Sequence, residues 1–549
     1  IGSYRKQVEL EMKNNNSNHS QPLLKMSNIQ IEGFADERWH KIIKGIDLTL
    51  HRGQILGLIG ESGAGKSTLG LAAMGFARPG CRFTGGEVEF DGLNLTKMPE
   101  YEKRRLWGTR ITYVAQSAAA AFNPAHRLLD QTIESTVRGK IKPELEAKAD
   151  AKKLYEELQL PEPNLIGDRY PHQVSGGQLQ RVMTAMAMSA RPDLIIFDEP
   201  TTALDVTTQA EVLASMRFIV EQYNTAAIYI THDLSVVAQM ADDIKVLRYG
   251  EEVEEANTRE MLSNPKKDYT KSLWSVRSIE KEEKSNDDYV LEINNVSAAY
   301  GASKVLFDVD IKLPRGRTVA VVGESGSGKS TTARVITGLL PPSNGQVVFN
   351  GSPLLPALNQ RSKEELRKIQ MIYQMADVAM NPKQTVLEIV GRPLEFYHGL
   401  KGKEQDRRTI ELLEMIELDE SFMDRLPNEL SGGQKQRVCL ARALAADPEI
   451  IICDEVTSAL DQIVQEGILK LLMKLQDELN VSYLFITHDI STVKAISDEV
   501  VVMFQGKVIE QGPKTKIFSP PHPEYTQLLL SAVPEMDPDW LTNYLDNKK

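Results

Sequence analysis

Gly60-Glu61-Ser62-Gly63-Ala64-Gly65-Lys66-Ser67 returns almost letter for letter as Gly323-Glu324-Ser325-Gly326-Ser327-Gly328-Lys329-Ser330. Both are G-x-x-x-x-G-K-S phosphate loops. Glycines without side chains let backbone N–H groups close around phosphates, the lysine reaches the terminal ones, and the serine hydroxyl meets a magnesium ion. Thr68 and Thr331 follow directly and belong to the same candidate sites. An apolar run precedes each loop, Gln54 to Ile59 or Thr318 to Val322, and a helix-compatible stretch follows. Strand, loop and helix are the context the motif requires, so the chain is expected to bind ATP or GTP twice.

The self-similarity extends well past these loops. Ser175-Gly176-Gly177-Gln178 recurs as Ser431-Gly432-Gly433-Gln434, Asp198-Glu199 as Asp454-Glu455, and Thr231-His232-Asp233 as Thr487-His488-Asp489, all at an offset of 256, whereas the lysines are 263 apart. A repeat this long is a duplicated domain and not a solenoid, whose units run about 20–50 residues. A chain of 549 residues also exceeds what one hydrophobic core usually serves. The expected division is a disordered tail over 1–22, a first domain over 23–277, a charged linker over 278–288 that would not pack, a second domain over 289–534 and a C-terminal tail over 535–549.

Composition narrows the function classes. No stretch approaches the ~20 apolar residues of a membrane-spanning helix, and the net charge of −12 argues against general nucleic-acid binding. Cys81, Cys439 and Cys453 lie too far apart for a disulfide framework or a metal-cysteine motif. Leu194-Ile195-Ile196-Phe197 and Ile450-Ile451-Ile452-Cys453 read as buried strands, each ending in an Asp-Glu pair. There the aspartate can hold Mg²⁺ and the glutamate can orient or deprotonate water.

In this order the motifs resemble the nucleotide-binding domains of ATP-binding cassette (ABC) proteins. The resemblance implies an α/β fold of two tandem P-loop domains, each with a RecA-like core and a helical signature subdomain. It implies ATP and Mg²⁺ as cofactors, with Ser67, Gln116, Asp198, Ser330, Gln374 and Asp454 at the metal and Glu199, Glu455, His232 and His488 in catalysis. Ser175-Gly176-Gly177-Gln178 and Ser431-Gly432-Gly433-Gln434 match the family's signature, which presents a helix N-terminus to a nucleotide held by the other domain. The expected sites therefore combine the two halves head to tail. Tyr300 resembles the aromatic that stacks on adenine. In the first half either Phe34 or Trp39 could serve, and Phe34 is the candidate carried forward. Val456 in place of Pro200 is the one asymmetry visible near the chemistry.

Three features resemble importers of the oligopeptide/dipeptide class: no fused membrane span, the Asn123-Pro124 and Asn381-Pro382 segments after the glutamines, and the similar tails Asn264-Pro265-Lys266-Lys267-Asp268-Tyr269-Thr270 and His522-Pro523-Glu524-Tyr525-Thr526. This class implies an ATPase peripheral to the cytoplasmic face of the inner membrane, two integral-membrane permease subunits and, indirectly, a separate solute-binding protein. The transported solute would be a peptide, opine or nickel-type compound. Residues 500–549 contain no cysteine, so no iron–sulfur cluster is expected. The alternative is a ribosome-associated tandem ATPase, against which the short linker counts.

Overall fold

A run such as Ile55–Ile59 offers water no polar face, so it can form only a strand covered on both sides. In the computed structural model it is buried along its whole length. The structure describes residues 21–35, 37–202, 204–275, 281–284, 286–458 and 460–547. Most of the expected N-terminal tail and parts of the expected linker (278–280 and 285) lie outside them, as do Ala203 and Ala459. The described chain divides into two units. One is built from Ile1–Leu204, Thr208–Trp274 and Pro534–Lys549, the other from Asp205–Thr207 and Ser275–Val533.

The first unit carries β1 (Leu24–Ala35), β2 (Arg38–Leu50), β3 (Ile55–Ile59), β4 (Cys81–Phe90), β5 (Leu93–Asn94), β6 (Ile111–Val114), β7 (Leu194–Asp198), β8 (Ala226–Ile230), β9 (Asp243–Arg248) and β10 (Glu251–Asn257). β2-β1-β4-β5 form an antiparallel sheet, and β10-β9-β3-β8-β7-β6 a second sheet that is parallel except at β10. The parallel register pairs Ile55 with Ala227 and Asp198 with Ile230. It therefore brings the ends of β3, β7 and β8 to one edge, where open α/β sheets bind ligands. In the second unit β11 (Tyr289–Tyr300), β12 (Ser303–Pro314), β13 (Thr318–Val322), β14 (Asn344–Phe349), β15 (Ser352–Pro353), β16 (Ile369–Ile372), β17 (Ile450–Asp454), β18 (Ser482–Ile486), β19 (Glu499–Phe504) and β20 (Lys507–Pro513) repeat both sheets in the same order. The α/β class expected from the motifs is the one observed.

The helical parts also match. Leu128–Arg138, Glu144–Glu157 and Gly176–Met188 pack together in the first unit, and Val386–Pro393, Lys403–Met415 and Gly432–Leu444 in the second. Buried Leu412, Leu413, Ile416, Val438 and Leu440 join these second-unit helices in one core cluster. The length difference between the halves is spread out. The offset is 263 at the lysines, 259 at Phe90 and Phe349, 258 at Gln116 and Gln374, and 256 at Ser175 and Ser431. Its largest step falls in β4, which has 10 residues against 6 in β14.

The charged run packs where its composition suggested it would not, and the C-terminal tail packs as well. Lys281, in the charged run, places its Nζ 2.6 Å from Asp498 Oδ2 and 2.6 Å from Gln476 Oε1, and Asp498 is wholly buried. Beyond Pro534 the chain is part of the first unit. There buried Gln239 donates through Nε2 to the Glu535 and Asp537 carbonyls, 2.8 Å each, and accepts the Leu541 N–H at 3.0 Å. Arg217 donates to Thr542 and Arg259 pairs with Asp539, while Trp540, Leu541 and Tyr544 are buried. No helix among the described residues is long and apolar enough to cross a membrane.

Candidate active sites

Each phosphate loop is shaped by positions that exclude side chains. Gly60 has φ +147°, and a Cβ there would lie 2.2 Å from the Leu247 carbonyl oxygen; Gly323 repeats this at +145° and 2.1 Å from Met503 O. Gly63 and Gly326, at φ +81°, have nothing within 4 Å of where a Cβ would stand, so the open side of the loop is the one a side chain would fill. Lys66 Nζ donates to the Gly60 and Glu61 carbonyls at 2.6 and 2.9 Å, and Lys329 Nζ to Gly323 and Glu324 at 2.8 Å each. Both lysines are buried, and burial pushes the Lys329 ammonium below its ordinary value. The helices Lys66–Ala73 and Lys329–Ile336 begin at these lysines, aiming their N-terminal N–H groups at the same space.

At the end of β7, Asp198 Oδ1 accepts the Ser67 hydroxyl at 2.8 Å; at the end of β17, Asp454 Oδ1 accepts Ser330 at 3.0 Å. Serine hydroxyl and aspartate carboxylate form an all-oxygen donor pair suited to a hard cation such as Mg²⁺. Burial raises the Asp454 carboxyl, partly offset by Ser330. Asp198 has a second partner, the Tyr113 hydroxyl, and burial together with that bond raises the tyrosine well above its usual range. Met371 occupies the matching position of β16, so the two aspartates are held differently.

The glutamates follow at φ +49° and +52°, a left-handed turn that projects each carboxylate sideways from its strand. Glu199 Oε2 accepts from Gln116 Nε2 at 3.0 Å and Thr202 Oγ1 at 3.2 Å, and its Oε1 stands 3.2 Å from His232 Nδ1. Glu455 accepts from Gln374 at 2.6 Å and faces His488 Nδ1 at 3.5 Å, while Ser458 turns its hydroxyl to the Glu455 carbonyl. Burial disfavours charge on both members of each pair. The hydrogen bond and mutual attraction outweigh it, lowering the glutamates and raising the histidines. The glutamines thus meet the glutamates and not the aspartates, which the sequence reading did not foresee.

Ser175 and Ser431 cap the signature helices. Ser175 Oγ accepts the Gln178 N–H at 3.3 Å while Gln178 Oε1 accepts the Ser175 N–H at 3.1 Å; Ser431 and Gln434 do the same at 3.3 and 2.9 Å. These reciprocal bonds leave the serine O–H proton able to donate outward. The two glycines have different tasks. A Cβ at Gly176 would meet nothing closer than 4.0 Å, whereas one at Gly177 would stand 2.1 Å from Thr208 Cγ2, and one at Gly433 2.4 Å from Val464 Cγ1. Phe34 and Trp39, both exposed, sit with ring centroids 5.3 Å apart where β1 meets β2, and the Arg82 guanidinium lies 3.9 Å over Trp39. Exposed Tyr300, the last residue of β11, accepts from Arg334 at 2.8 Å.

Tyr113 and Thr202 were missed by the motif search because neither belongs to a short pattern. Tyr269 and Tyr525, which reach the loops from the tails, carried a usable signal: they stand 256 positions apart, the offset of the signatures.

With this geometry in place, the ABC transporter family model matches residues 43–202 and 306–458, and the model for the C-terminal region of oligopeptide/dipeptide transporters matches 509–549. The chain belongs to the ABC transporter family, as a tandem ATP-binding subunit of its oligopeptide/dipeptide class, and it is an ATPase. Among its relatives, the glutathione import ATP-binding protein GsiA of Salmonella choleraesuis (strain SC-B67) is 35% identical, the alignment covering 94% of this chain and 90% of that protein. Its counterpart in Escherichia coli (strain K12) is 34% identical over the same shares. A solved structure, cbiO1 from Clostridium perfringens, is 30% identical over 42% of this chain and 91% of its own, with a TM-score of 0.39.

Proposed function

We propose that this subunit hydrolyses ATP at two phosphate-loop sites to drive uptake of a small peptide, glutathione-like in size and charge, through membrane permease subunits. The observation that carries the reading is the match to glutathione import ATP-binding proteins along 94% of the chain. Lys66 and Lys329 bind the terminal phosphates, and Glu199 and Glu455 orient or deprotonate the attacking water. His232 and His488 hold those carboxylates in place, and Ser175-Gly176-Gly177-Gln178 and Ser431-Gly432-Gly433-Gln434 offer helix N-termini to phosphate. Ser67 with Asp198, and Ser330 with Asp454, would hold Mg²⁺, with Gln116 and Gln374 beside them; the ion would supply charge neutralisation at the phosphates. Tyr300 and Phe34 are the adenine platforms.

The membrane partners, two permease subunits in this reading, dock against the segments that follow the glutamines. After Gln374, Met375 and Val378 are exposed and offer apolar surface to such a partner. In this reading the subunit works at the cytoplasmic face of the membrane, with a solute-binding protein on the far side. Glu199→Gln combined with Glu455→Gln is expected to leave ATP binding intact and to lower turnover by at least about 10²-fold, the worth of a positioned base. Labelled glutathione uptake by cells expressing the subunit with its permeases should fall in parallel. Turnover surviving the double change would refute the assignment of the glutamates, and uptake of unrelated solutes alone would refute the peptide.

A further inference from the structure

In both units the chain returns after its edge strand and touches the phosphate loop from outside. The Tyr269 hydroxyl, on the helix Asp268–Ser275, accepts the Glu61 N–H at 3.3 Å; the Tyr525 hydroxyl, on the helix Glu524–Ser531, accepts the Glu324 N–H at 3.0 Å. Those glutamates are the residues whose carbonyls hold Lys66 and Lys329. The peptide group before each glutamate is therefore held by the tail tyrosine at its N–H and by the loop lysine at its carbonyl, and the peptide group after it by the lysine.

The surroundings of the two rings differ. Arg248 lies 4.4 Å over the Tyr269 ring, whereas the Tyr525 ring packs 4.2 Å from Phe504. Only the hydroxyl-to-loop bond is the same in both, which marks the hydroxyl, not the ring packing, as the shared feature. Burial raises both phenols, Tyr525 to about 12, so each stays protonated over any working pH. Thr270 and Thr526, wholly buried, come next in sequence.

We propose that Tyr269 and Tyr525 are positioning residues of the two ATP sites, bracing the first turn of each phosphate loop so that its N–H groups and lysine are set before nucleotide arrives. The inference rests on the assignment of the loops as ATP sites. A loop held in its binding shape loses less freedom on binding, so the effect falls on affinity more than on the chemical step.

The test uses the full chain with Tyr269→Phe, Tyr525→Phe and both together, reading the ATP KM, kcat, binding of trinitrophenyl-ATP, and the nucleotide-free thermal midpoint. The double variant should raise KM and weaken analogue binding about 2- to 10-fold, the worth of one backbone hydrogen bond, with kcat within about twofold and the midpoint unchanged. Each single change should give a smaller part of the effect. Unchanged KM and analogue binding would overturn the proposal, and so would a joint fall of midpoint, kcat and affinity, which marks a merely structural role. Failure of the ATPase reading itself would show separately, as wild-type chain that neither binds the analogue nor hydrolyses ATP.

Discussion

At the residue scale the pair Glu199–His232 has a pH signature. The raised His232 contributes stability in full below its usual 6.5 and loses it as pH climbs through the raised value; the lowered Glu199 contributes above its usual 4.5 and loses it only as pH falls through the lowered value. Between those limits the pair is charged on both sides. His232→Asn should therefore lower the thermal midpoint more below the usual 6.5, where the charged pair is intact, than at alkaline pH above the raised value, where wild-type His232 has lost its proton. An equal drop at both would mean that His232 is not charged in the fold. The identity of these residues was legible because each follows an apolar strand in a short, repeated word. Their partners were not: Gln116 meets Glu199 only because β6 lies in register beside β7, pairing Val114 with Phe197. No spacing along the chain encodes that register. Tyr113 escaped for the same reason, and the choice between Phe34 and Trp39 stayed open because the hairpin brings both to the surface together.

At the scale of the element, the signature helix is placed by its second glycine. Gly433→Ala would set a methyl 2.4 Å from Val464 Cγ1 and force the helix Gly432–Leu444 away from Gln462–Leu479. The expected cost is about 1–3 kcal/mol, read as a shift of the urea midpoint. Gly432→Ala, whose Cβ would meet nothing closer than 3.7 Å, should cost little stability while crowding the helix N-terminus, so its effect should appear in turnover. If both changes cost the same stability, the division of labour between the glycines is wrong. The sequence marked this glycine pair as an anion-facing helix start. That one glycine serves packing could be seen only once the neighbouring helix was in place.

Across the whole molecule, the fold class and the duplication were readable from the repeated words, because those words specify strand, loop and helix locally. The organisation beyond them depends on long-range polar contacts that composition hides: a lysine in a charged run meeting a buried aspartate, and a glutamine at 239 gripping residues near 540. Gln239→Ala would leave two carbonyls and an N–H without their partner. A loss of about 1–3 kcal/mol is expected in the denaturation of the first unit. Deletion of 535–549 should cost more, because buried Trp540, Leu541 and Tyr544 are lost with it, and adding Gln239→Ala to the deletion should cost no more than the deletion alone. Full additivity would show that Gln239 acts elsewhere.

The assignment of Pro534–Lys549 to the first unit also orders events on the ribosome. A domain made first ordinarily folds first, as soon as it clears the exit tunnel. Here the seats of Trp540, Leu541 and Tyr544 belong to the domain made first, yet those side chains follow the entire stretch 275–533. At 5–20 residues per second the delay is about 13–50 s. During that interval the nascent first domain lacks the partners of Gln239 and the three side chains that bury beyond Pro534. Its final consolidation is thus scheduled by translation of its twin, and a transcript cut short after the first repeat would yield a domain that is foldable but permanently unfinished.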